Sequence, residues 1–266
     1  YFIEIIEFKN KNKTKEIKIN AKYIESLLSK LTSDSIYVGK FEVTNQLYHH
    51  FIGETGQLNH ASKNLNWAGN IKYPFRLIRN YSKHEDYFNY PVVNISKESA
   101  IEFCKWLTIK YNSFKKKKLG NITFQLPTEK QWENFAKVNL INSSLFSKRK
   151  YLRNSKGVFL CNYNPVEERW ILDSDKDFLK SGLTKEQIRE AGKLDGFEFT
   201  CPVDSYFKNM YELYCIYGNV SEMILNKPIS KGGSWASFRN EIIVKSDEKF
   251  FTPNPFTGFR FIAVEN

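Results

Sequence analysis

The stretch GNVSE at residues 218–222 is followed by KGGSW at residues 231–235, and the chain closes on GFRF at residues 258–261. Around these motifs, residues 200–266 predict short strands joined by turns, without a long helix. Aromatic residues make up 16% of the chain, and flat side chains suit the irregular core of such a fold. These three motifs decide the fold, and further motifs precede them.

Four other motifs lie in a consistent order within residues 34–266. They are FEVTN at 41–45, YPVVNIS at 90–96, LPTEKQWE at 126–133 and PVDS at 202–205. Together with the C-terminal motifs they resemble the formylglycine-generating enzyme family, whose domain is also called the sulfatase-modifying factor domain. The resemblance implies an α+β fold, a compact variant of the C-type-lectin-like fold with short strands and much irregular structure.

Local patterns predict where the helices begin. A hydroxyl side chain that can accept a hydrogen bond from the first helical turn marks each start, at Thr44, Ser96, Thr128 and Thr184. The helix that begins after Ser96 is predicted to reach about Tyr111, with an aromatic stripe facing the core. Residues 36–41 and 91–95 predict short strands, and residues 53–90 predict a long loop.

The chain is predicted to divide into an N-terminal extension, residues 1–33, and a formylglycine-generating-enzyme-like domain, residues 34–266. The extension lies outside the motif series. Within it, residues 1–8 predict a strand and residues 23–31 predict a helix.

Composition describes an ordinary globular protein, with 41% hydrophobic and 26% charged residues among 266. The net charge of +11 suits a solvated lysine-rich surface, an acidic protein partner or a membrane surface. No signature of a nucleic-acid-binding fold accompanies the charge, so nucleic acid is not the favoured partner. No run of 18 apolar residues predicts a membrane span. The sequence begins at Tyr1, so a signal or lipid anchor could precede it.

The four cysteines are Cys104, Cys161, Cys201 and Cys215, and none forms a C-x-x-C pair. Zinc sites draw their ligands from close pairs, so a thiolate metal site is not predicted. Buried free thiols are expected, and a disulfide cannot be assigned from the spacing. Nothing in the sequence brings Cys201 and Cys215 together.

The resemblance also bears on catalysis. Enzymes of this family carry two cysteines, five residues apart, just after the Gly-Gly-Ser-aromatic motif, and their oxidase chemistry needs both thiolates to bind copper. Here those positions are Ala236 and Glu241. No copper is therefore expected, no catalytic or cofactor-binding residue is assigned, and the resemblance implies a family member without the oxidase centre.

Two structural calcium sites are implied by the resemblance, position by position. At the first, Asn162 and Asp195 match the side-chain ligands, and Tyr163 and Phe197 match the carbonyl donors. Oxygen donors of this kind suit a hard cation. We expect calcium at this first site.

At the second site, Glu222 matches the side-chain ligand, and Gly218 and Val220 match the carbonyl donors. Cys215 stands where the family has Asp or Asn. Because a thiol is a poor calcium ligand, this site is expected to be weak or empty.

The sequence thus predicts a non-catalytic binding or assembly module with protein partners. The spacing of YF at 87–88 and YPVV at 90–93 resembles that of gliding-motility and type IX secretion lipoproteins, which implies a place in the cell envelope, periplasm or outer membrane. Two alternatives stay open, a metal-dependent oxidase with atypical ligands and a lectin-like ligand-recognition domain. The adjacent His49 and His50 point about 100° apart on a helix, which argues against one shared metal.

Overall fold

The structure is a computed structural model that describes residues 17–31, 35–71, 74–137, 152, 159–164, 197–238, 241–242 and 247–266. Its helices are α1 (Ala21–Ser26), α2 (Asn45–Thr55), α3 (Phe75–Asn80), α4 (Lys97–Asn112) and α5 (Glu129–Lys137), with 3-10 turns at Leu58–His60, Asn64–Trp67 and Glu85–Tyr87. Its strands are β1 (Leu28–Lys30), β2 (Ile36–Gly39), β3 (Ile122–Gln125), β4 (Ser221–Met223), β5 (Ile229–Lys231), β6 (Glu248–Lys249), β7 (Thr257–Gly258) and β8 (Ile262–Glu265). Helices and short strands mix within one core, so the predicted α+β class is confirmed.

The first sheet has the order β1-β2-β8-β3, and all of its pairs are antiparallel. The C-terminal strand β8 lies inside this sheet, between β2 and β3. The last residues of the chain therefore join its N-terminal third to its middle. This arrangement places GFRF, which leads into β8, at the centre of the molecule.

The second sheet has the order β6-β5-β4-β7, in which β4 and β7 are parallel. Its register brings the three C-terminal motifs together, because Glu222 faces Lys231 on β5 and Gly258 on β7. KGGSW and GFRF begin 9 and 36 residues after Glu222, and the β4–β5 and β4–β7 pairs bring both motifs next to it.

The predicted helix starts at Thr44, Ser96 and Thr128 are confirmed. The Thr44 hydroxyl accepts from the backbone N–H of Leu47, and the Ser96 hydroxyl accepts from Ser99. At α5 the Gln131 side chain accepts from the Thr128 backbone N–H while Gln131 N–H donates to the Thr128 hydroxyl. That reciprocal pair is a capping box. The start predicted at Thr184 lies outside the described residues.

An aromatic cluster forms the main core, as the stripe on α4 predicts. Phe103 of α4 contacts rings from α2, from α4 itself and from the C-terminal segment, with centroids 5.3–6.4 Å apart; these rings belong to Tyr48, Phe51, Trp106, Phe259 and Phe261. Edge-to-face and stacked contacts at such separations add to the free energy gained by burying each ring.

Three predicted elements differ in the structure. The helix predicted over residues 23–31 is shorter: α1 ends at Ser26, and Leu28–Lys30 pairs with β2 instead. The loop predicted over residues 53–90 contains α3 and three 3-10 turns. Residues 91–95 form only a single bridge, between Pro91 and Thr44. In each case tertiary pairing or packing outweighs the local pattern.

The described part of the N-terminal extension packs on the domain. Ala21, Ile24 and Leu28 are buried in the same core as α2 and α4. The strand predicted over residues 1–8 lies outside the described residues. Among the helices that the structure does describe, none combines the length and apolar character needed to cross a membrane.

Candidate functional site

A buried polar cluster forms around Asn219 of the GNVSE motif. The Asn219 amide nitrogen donates to Glu42 Oε2 at 2.6 Å, and its amide oxygen accepts from the Cys201 backbone N–H at 2.8 Å. Its own backbone N–H donates to the carbonyl of Asn162 at 2.8 Å, and its carbonyl accepts from Trp235 N–H at 2.9 Å. Asn219 therefore ties four separate segments of the chain together.

Glu42 is the acidic member of this cluster and is fully buried. Its second oxygen accepts from the Val220 backbone N–H at 3.2 Å. Burial raises the pKa of Glu42 well above its usual range, while the charge of Arg260 and the Asn219 hydrogen bond act in the opposite direction. Burial therefore destabilises the charged form of the Glu42 carboxyl group.

A buried ion pair adjoins the cluster. Arg260 Nε and Nη2 lie 2.9 and 2.8 Å from Glu222 Oε1, and the Trp132 indole donates to Glu222 Oε2 at 2.7 Å. The Arg260 guanidinium also donates to the carbonyls of Gly39 and Tyr214. Arg260 of the GFRF motif thus forms its ion pair with the core acid Glu222.

The structure describes three of the four residues predicted to bind calcium at the first site. Asn162 lies at the Asn219 cluster, where its amide nitrogen donates to the Phe199 carbonyl at 2.7 Å and to Asn219 Oδ1 at 3.3 Å. Tyr163 is buried beside it, and the Phe197 ring packs near Tyr206. Asp195 lies outside the described residues, so calcium at this site stays a prediction.

The residues predicted for the second calcium site are poorly suited to binding calcium. Both Glu222 oxygens already accept from Arg260 and Trp132, and a cation there would face the guanidinium charge. Gly218 and Val220 do flank the cluster, but Cys215 brings a thiol that donates towards the Ser205 carbonyl at 3.5 Å. Hard oxygen ligands are what calcium requires. The buried ion pair holds these segments instead.

The positions of the family's cysteine pair carry groups that stabilise a turn. Glu241 Oε2 accepts from the Phe238 backbone N–H at 2.7 Å, and the Ala236 N–H donates to the Ser234 hydroxyl. The Ser234 N–H in turn donates to the Ser237 hydroxyl at 2.9 Å. The turn is thus closed by local hydrogen bonds, and a methyl group stands at residue 236.

Glu248 continues this network, since its Oε1 accepts from the Ser237 hydroxyl at 2.9 Å. Burial raises the pKa of Glu248 above the ordinary 4.5, and the serine hydrogen bonds only partly offset it. A raised native pKa means that stability is lost as pH rises through it. We therefore expect the free energy of unfolding of the parent, minus that of Glu248→Gln, to fall as the pH rises above 4.5.

Urea unfolding at a series of pH values measures this difference. Glu212→Gln is the matched control with the opposite sign, because the lysine partner Lys208 lowers the pKa of Glu212. The corresponding difference for that control decreases as pH falls below 4.5. A difference for Glu248→Gln that stays level or rises with pH contradicts the assignment.

Aromatic rings surround Trp235 of the KGGSW motif. The Trp235 ring stacks on Trp67 at 6.2 Å and packs at 5.1 Å from Phe256 and 5.4 Å from Phe199. Its indole N–H donates to the Pro255 carbonyl at 3.0 Å. This aromatic wall lies directly before residue 236 in the chain, beside the place that the family's cysteine pair takes.

Sequence reasoning missed two features of this site. The central role of Asn219 could have been inferred from a polar residue at the middle of GNVSE, between positions that read as buried. The anchoring of the Cys201 backbone by the Asn219 side chain had no signal in the sequence, because the two residues lie 18 positions apart and meet only in the fold.

Comparison with known proteins agrees with the motifs and the fold. Residues 8–264 match the family model described as the sulfatase-modifying factor enzyme 1-like domain, so the chain belongs to this family. The formylglycine-generating enzyme of Mus musculus is 26% identical, over 74% of this chain and 50% of that enzyme. The chain therefore spans about half the length of the curated relative that it matches.

Solved structures support the fold at lower identity. The Treponema denticola variable protein 1 is 16% identical, with a TM-score of 0.50 over 89% of this chain and 90% of that one. PvdO from Pseudomonas aeruginosa is 16% identical, with a TM-score of 0.50 over 86% and 80%. CarF is 17% identical, with a TM-score of 0.51 over 87% of each chain. These likenesses concern the fold alone, which is formylglycine-generating-enzyme-like.

Proposed function

We propose that this chain is a non-catalytic binding or assembly module on the scaffold of its family. The observation that carries the proposal is that Ala236 and Glu241 stand at the positions of the cysteine pair and take part in local hydrogen bonds. The Glu241 carboxylate accepts a backbone hydrogen bond, and the methyl side chain of Ala236 has no atom that could bind a metal. A scaffold that keeps its shape while its reactive side chains are replaced is suited to binding.

An exposed apolar surface supports this proposal. Leu65, Phe75 and Phe251 are 73%, 80% and 73% exposed, which is unusual for large hydrophobic side chains. Leu65 lies in the 3-10 turn that ends at Trp67, and Phe75 begins α3, whose Leu77 packs with Trp67.

Phe251 belongs to the same region, because Asn66, next to Leu65, donates to the carbonyl of Pro253 at 2.9 Å. The three side chains thus project from segments that converge on the Trp67–Trp235 stack. Exposed aromatic anchors beside a rigid aromatic wall are typical of protein interfaces. We name Leu65, Phe75 and Phe251 the apolar rim.

The proposal extends to the setting of the protein. The motif spacing at residues 87–93 favours a component of a cell-envelope machine of the gliding-motility or type IX secretion kind. A calcium ion at Asn162 and Asp195 would brace the scaffold in that setting, with oxygen ligands that suit the ion.

The interface is tested by replacing one member of the apolar rim. We expect Phe75→Asp to lower the recovery of a stoichiometric protein partner from the native source about tenfold or more, as loss of a central aromatic anchor does. The matched control is Ile109→Asp, since Ile109 is also a strongly exposed hydrophobic residue but belongs to α4, which carries no member of the rim. Recovery is measured by quantitative mass spectrometry after affinity purification.

Other results would contradict the assembly role. Equal loss in both variants would show that the rim is not the interface. Recovery of no stoichiometric protein, together with specific binding on a glycan array, would favour the lectin-like alternative.

The loss of the oxidase centre is tested by restoring it. We expect the double variant Ala236→Cys, Glu241→Cys to bind one equivalent of Cu(I), because it restores the two thiolates that copper binding in this family needs, while the parent binds none at the same concentration. Competition with a chromogenic Cu(I) chelator measures both. Stoichiometric copper in the parent, with turnover of a thiol peptide, would support the oxidase alternative instead.

A further inference from the structure

Exposed lysines lie where helix α1 meets the loop that follows α4. The two segments touch because Glu25 of α1 accepts hydrogen bonds from the Tyr111 hydroxyl at 2.8 Å and from the Lys118 backbone N–H at 2.6 Å. Lys22 lies three residues before Glu25 in α1, so it belongs to the same face of the helix. The exposed lysines at this junction, which we name the lysine patch, are Lys22, Lys115, Lys116 and Lys118.

The loop that carries three of these lysines is held in a fixed shape by its other residues. The Lys117 ammonium donates to the Asn112 carbonyl at 3.3 Å and to Asn121 Oδ1 at 2.7 Å. It also lies 5.5 Å from the centroid of the Tyr111 ring, whose hydroxyl accepts from the Leu119 N–H at 3.3 Å. Lys117 therefore braces the loop, and the neighbouring lysines are held at the surface.

The described carboxylates leave the charge of the patch unpaired. Residues 17–31 and 105–122 contain three and six lysines, respectively, and a single acidic residue, Glu25. Lys105 and Lys110, outside the patch, each pair with an acid, whereas no described carboxylate forms an ion pair with a lysine of the patch. The patch therefore offers a concentrated positive charge to an anionic partner.

The type of basic residue indicates the type of partner. Residues 17–31 and 105–122 contain no arginine. Protein interfaces are enriched in Arg and depleted in Lys, because a planar guanidinium recognises a carboxylate through paired hydrogen bonds. Lysine carries a compact charge on a flexible stem, which suits a layer of anionic headgroups without a fixed pattern. Clusters of four or more basic residues are typical of surfaces that bind such lipids.

We propose that the lysine patch docks this protein on an anionic phospholipid surface. The ammonium groups contact the lipid phosphates, and the braced loop presents three of them to the surface together. This attraction is screened by salt and falls off within about one Debye length of the membrane. The proposal does not rest on the proposed function, since no lysine of the patch belongs to the apolar rim.

Co-sedimentation with lipid vesicles tests the proposal on the whole chain. The parent is mixed with vesicles of phosphatidylglycerol and phosphatidylcholine in equal parts, and separately with vesicles of phosphatidylcholine alone. We expect the parent to sediment with the acidic vesicles and to stay in solution with the neutral ones. Raising the salt from about 0.1 M to about 1 M shortens the Debye length from about 10 Å to about 3 Å, so binding is expected to disappear.

Removing three charges together tests the patch itself. The triple variant Lys115→Gln, Lys116→Gln, Lys118→Gln keeps the hydrogen bond from the backbone of residue 118 to Glu25. We expect it to bind the acidic vesicles about 100-fold more weakly, since each lysine near an anionic membrane contributes about a fivefold factor.

A matched control removes the same number of charges from exposed lysines in other segments. It carries the substitutions Lys63→Gln, Lys83→Gln and Lys249→Gln. We expect this control to bind the acidic vesicles nearly as tightly as the parent does, because its lysines lie outside the patch.

Failure of the parent to sediment with the acidic vesicles, or equal sedimentation with both kinds, would overturn the proposal. Equal weakening in the two triple variants would show that net charge, rather than the patch, binds the lipid. Tighter binding of the parent to polyglutamate or to a DNA duplex than to the vesicles, at the same salt, would assign the patch to an acidic protein or to nucleic acid instead. The lipid and salt comparisons use the parent, so they decide even if a variant fails to fold.

Discussion

Replacing Arg260 with Met is expected to lower the free energy of unfolding by about 3–5 kcal/mol, the usual cost of removing one member of a buried ion pair. The reason is what the change leaves behind: the Glu222 carboxylate, 1% exposed, loses its counter-ion. The carbonyls of Gly39 and Tyr214 lose their donors as well. Met fills a similar volume, so the loss is electrostatic rather than a cavity.

Chemical unfolding in urea measures this change, and two further variants interpret it. In Glu222→Gln with Arg260→Met the uncompensated charge is absent, so the double variant is expected to lose less than the sum of the single losses. Lys208→Met breaks the exposed pair with Glu212 and is expected to lower the unfolding midpoint far less than Arg260→Met does. A cost below about 1 kcal/mol for Arg260→Met would mean that the pair does not hold the fold together.

Gly218→Ala is expected to cost at least about 3 kcal/mol, from backbone strain and overpacking together. Gly218 has φ at +71°, and an added Cβ would lie 2.0 Å from the carbonyl oxygen of Asn162. That oxygen cannot move away freely, because it accepts the Asn219 N–H bond at 2.8 Å. The variant is therefore expected to disturb the whole Asn219 cluster.

Gly56→Ala is the matched control for this prediction. Gly56 has nearly the same φ, +67°, but nothing lies within 4 Å of its added Cβ. It should cost only about 1 kcal/mol, the conformational part of the penalty. Equal costs for the two variants, measured by urea or thermal unfolding, would show that close approach to Asn162 contributes nothing.

The turn in the GNVSE motif depends on two consecutive residues with positive φ. Gly218 precedes Asn219, whose φ is likewise positive at +59°. Consecutive residues in this conformation turn the chain sharply, so that the Asn219 side chain reaches Glu42 while its backbone bonds Asn162. The motif GNVSE is thus a turn that holds the second sheet to the rest of the molecule, and it performs this task without a reactive group.

The helix starts were predictable because each depends on atoms three residues apart. Thr44, Ser96 and Thr128 accept or exchange hydrogen bonds within one turn, so a short window of sequence contains all the relevant information. The family and the α+β class were predictable for a different reason. The motifs occur along this chain in the same order as in the family, and that shared order indicates the shared fold.

Other features depend on contacts between distant segments, and no local pattern encodes them. The choice of Glu222 rather than Glu42 as the partner of Arg260 follows from the register of β4 against β7. The division of residues 21–30 into a helix and a strand follows from pairing with β2. Both are decided by hydrogen bonds between strands that are far apart in sequence.

By itself, the amino-acid sequence determined the family, the helix starts and the replacement of the cysteine pair by Ala236 and Glu241. The tertiary structure alone decided the rest of the site: a turn closed by its own hydrogen bonds and a buried ion pair between Arg260 and Glu222. The physical reason is that side-chain identity is local, whereas burial and proximity arise only when the two sheets and the aromatic core bring separate segments together.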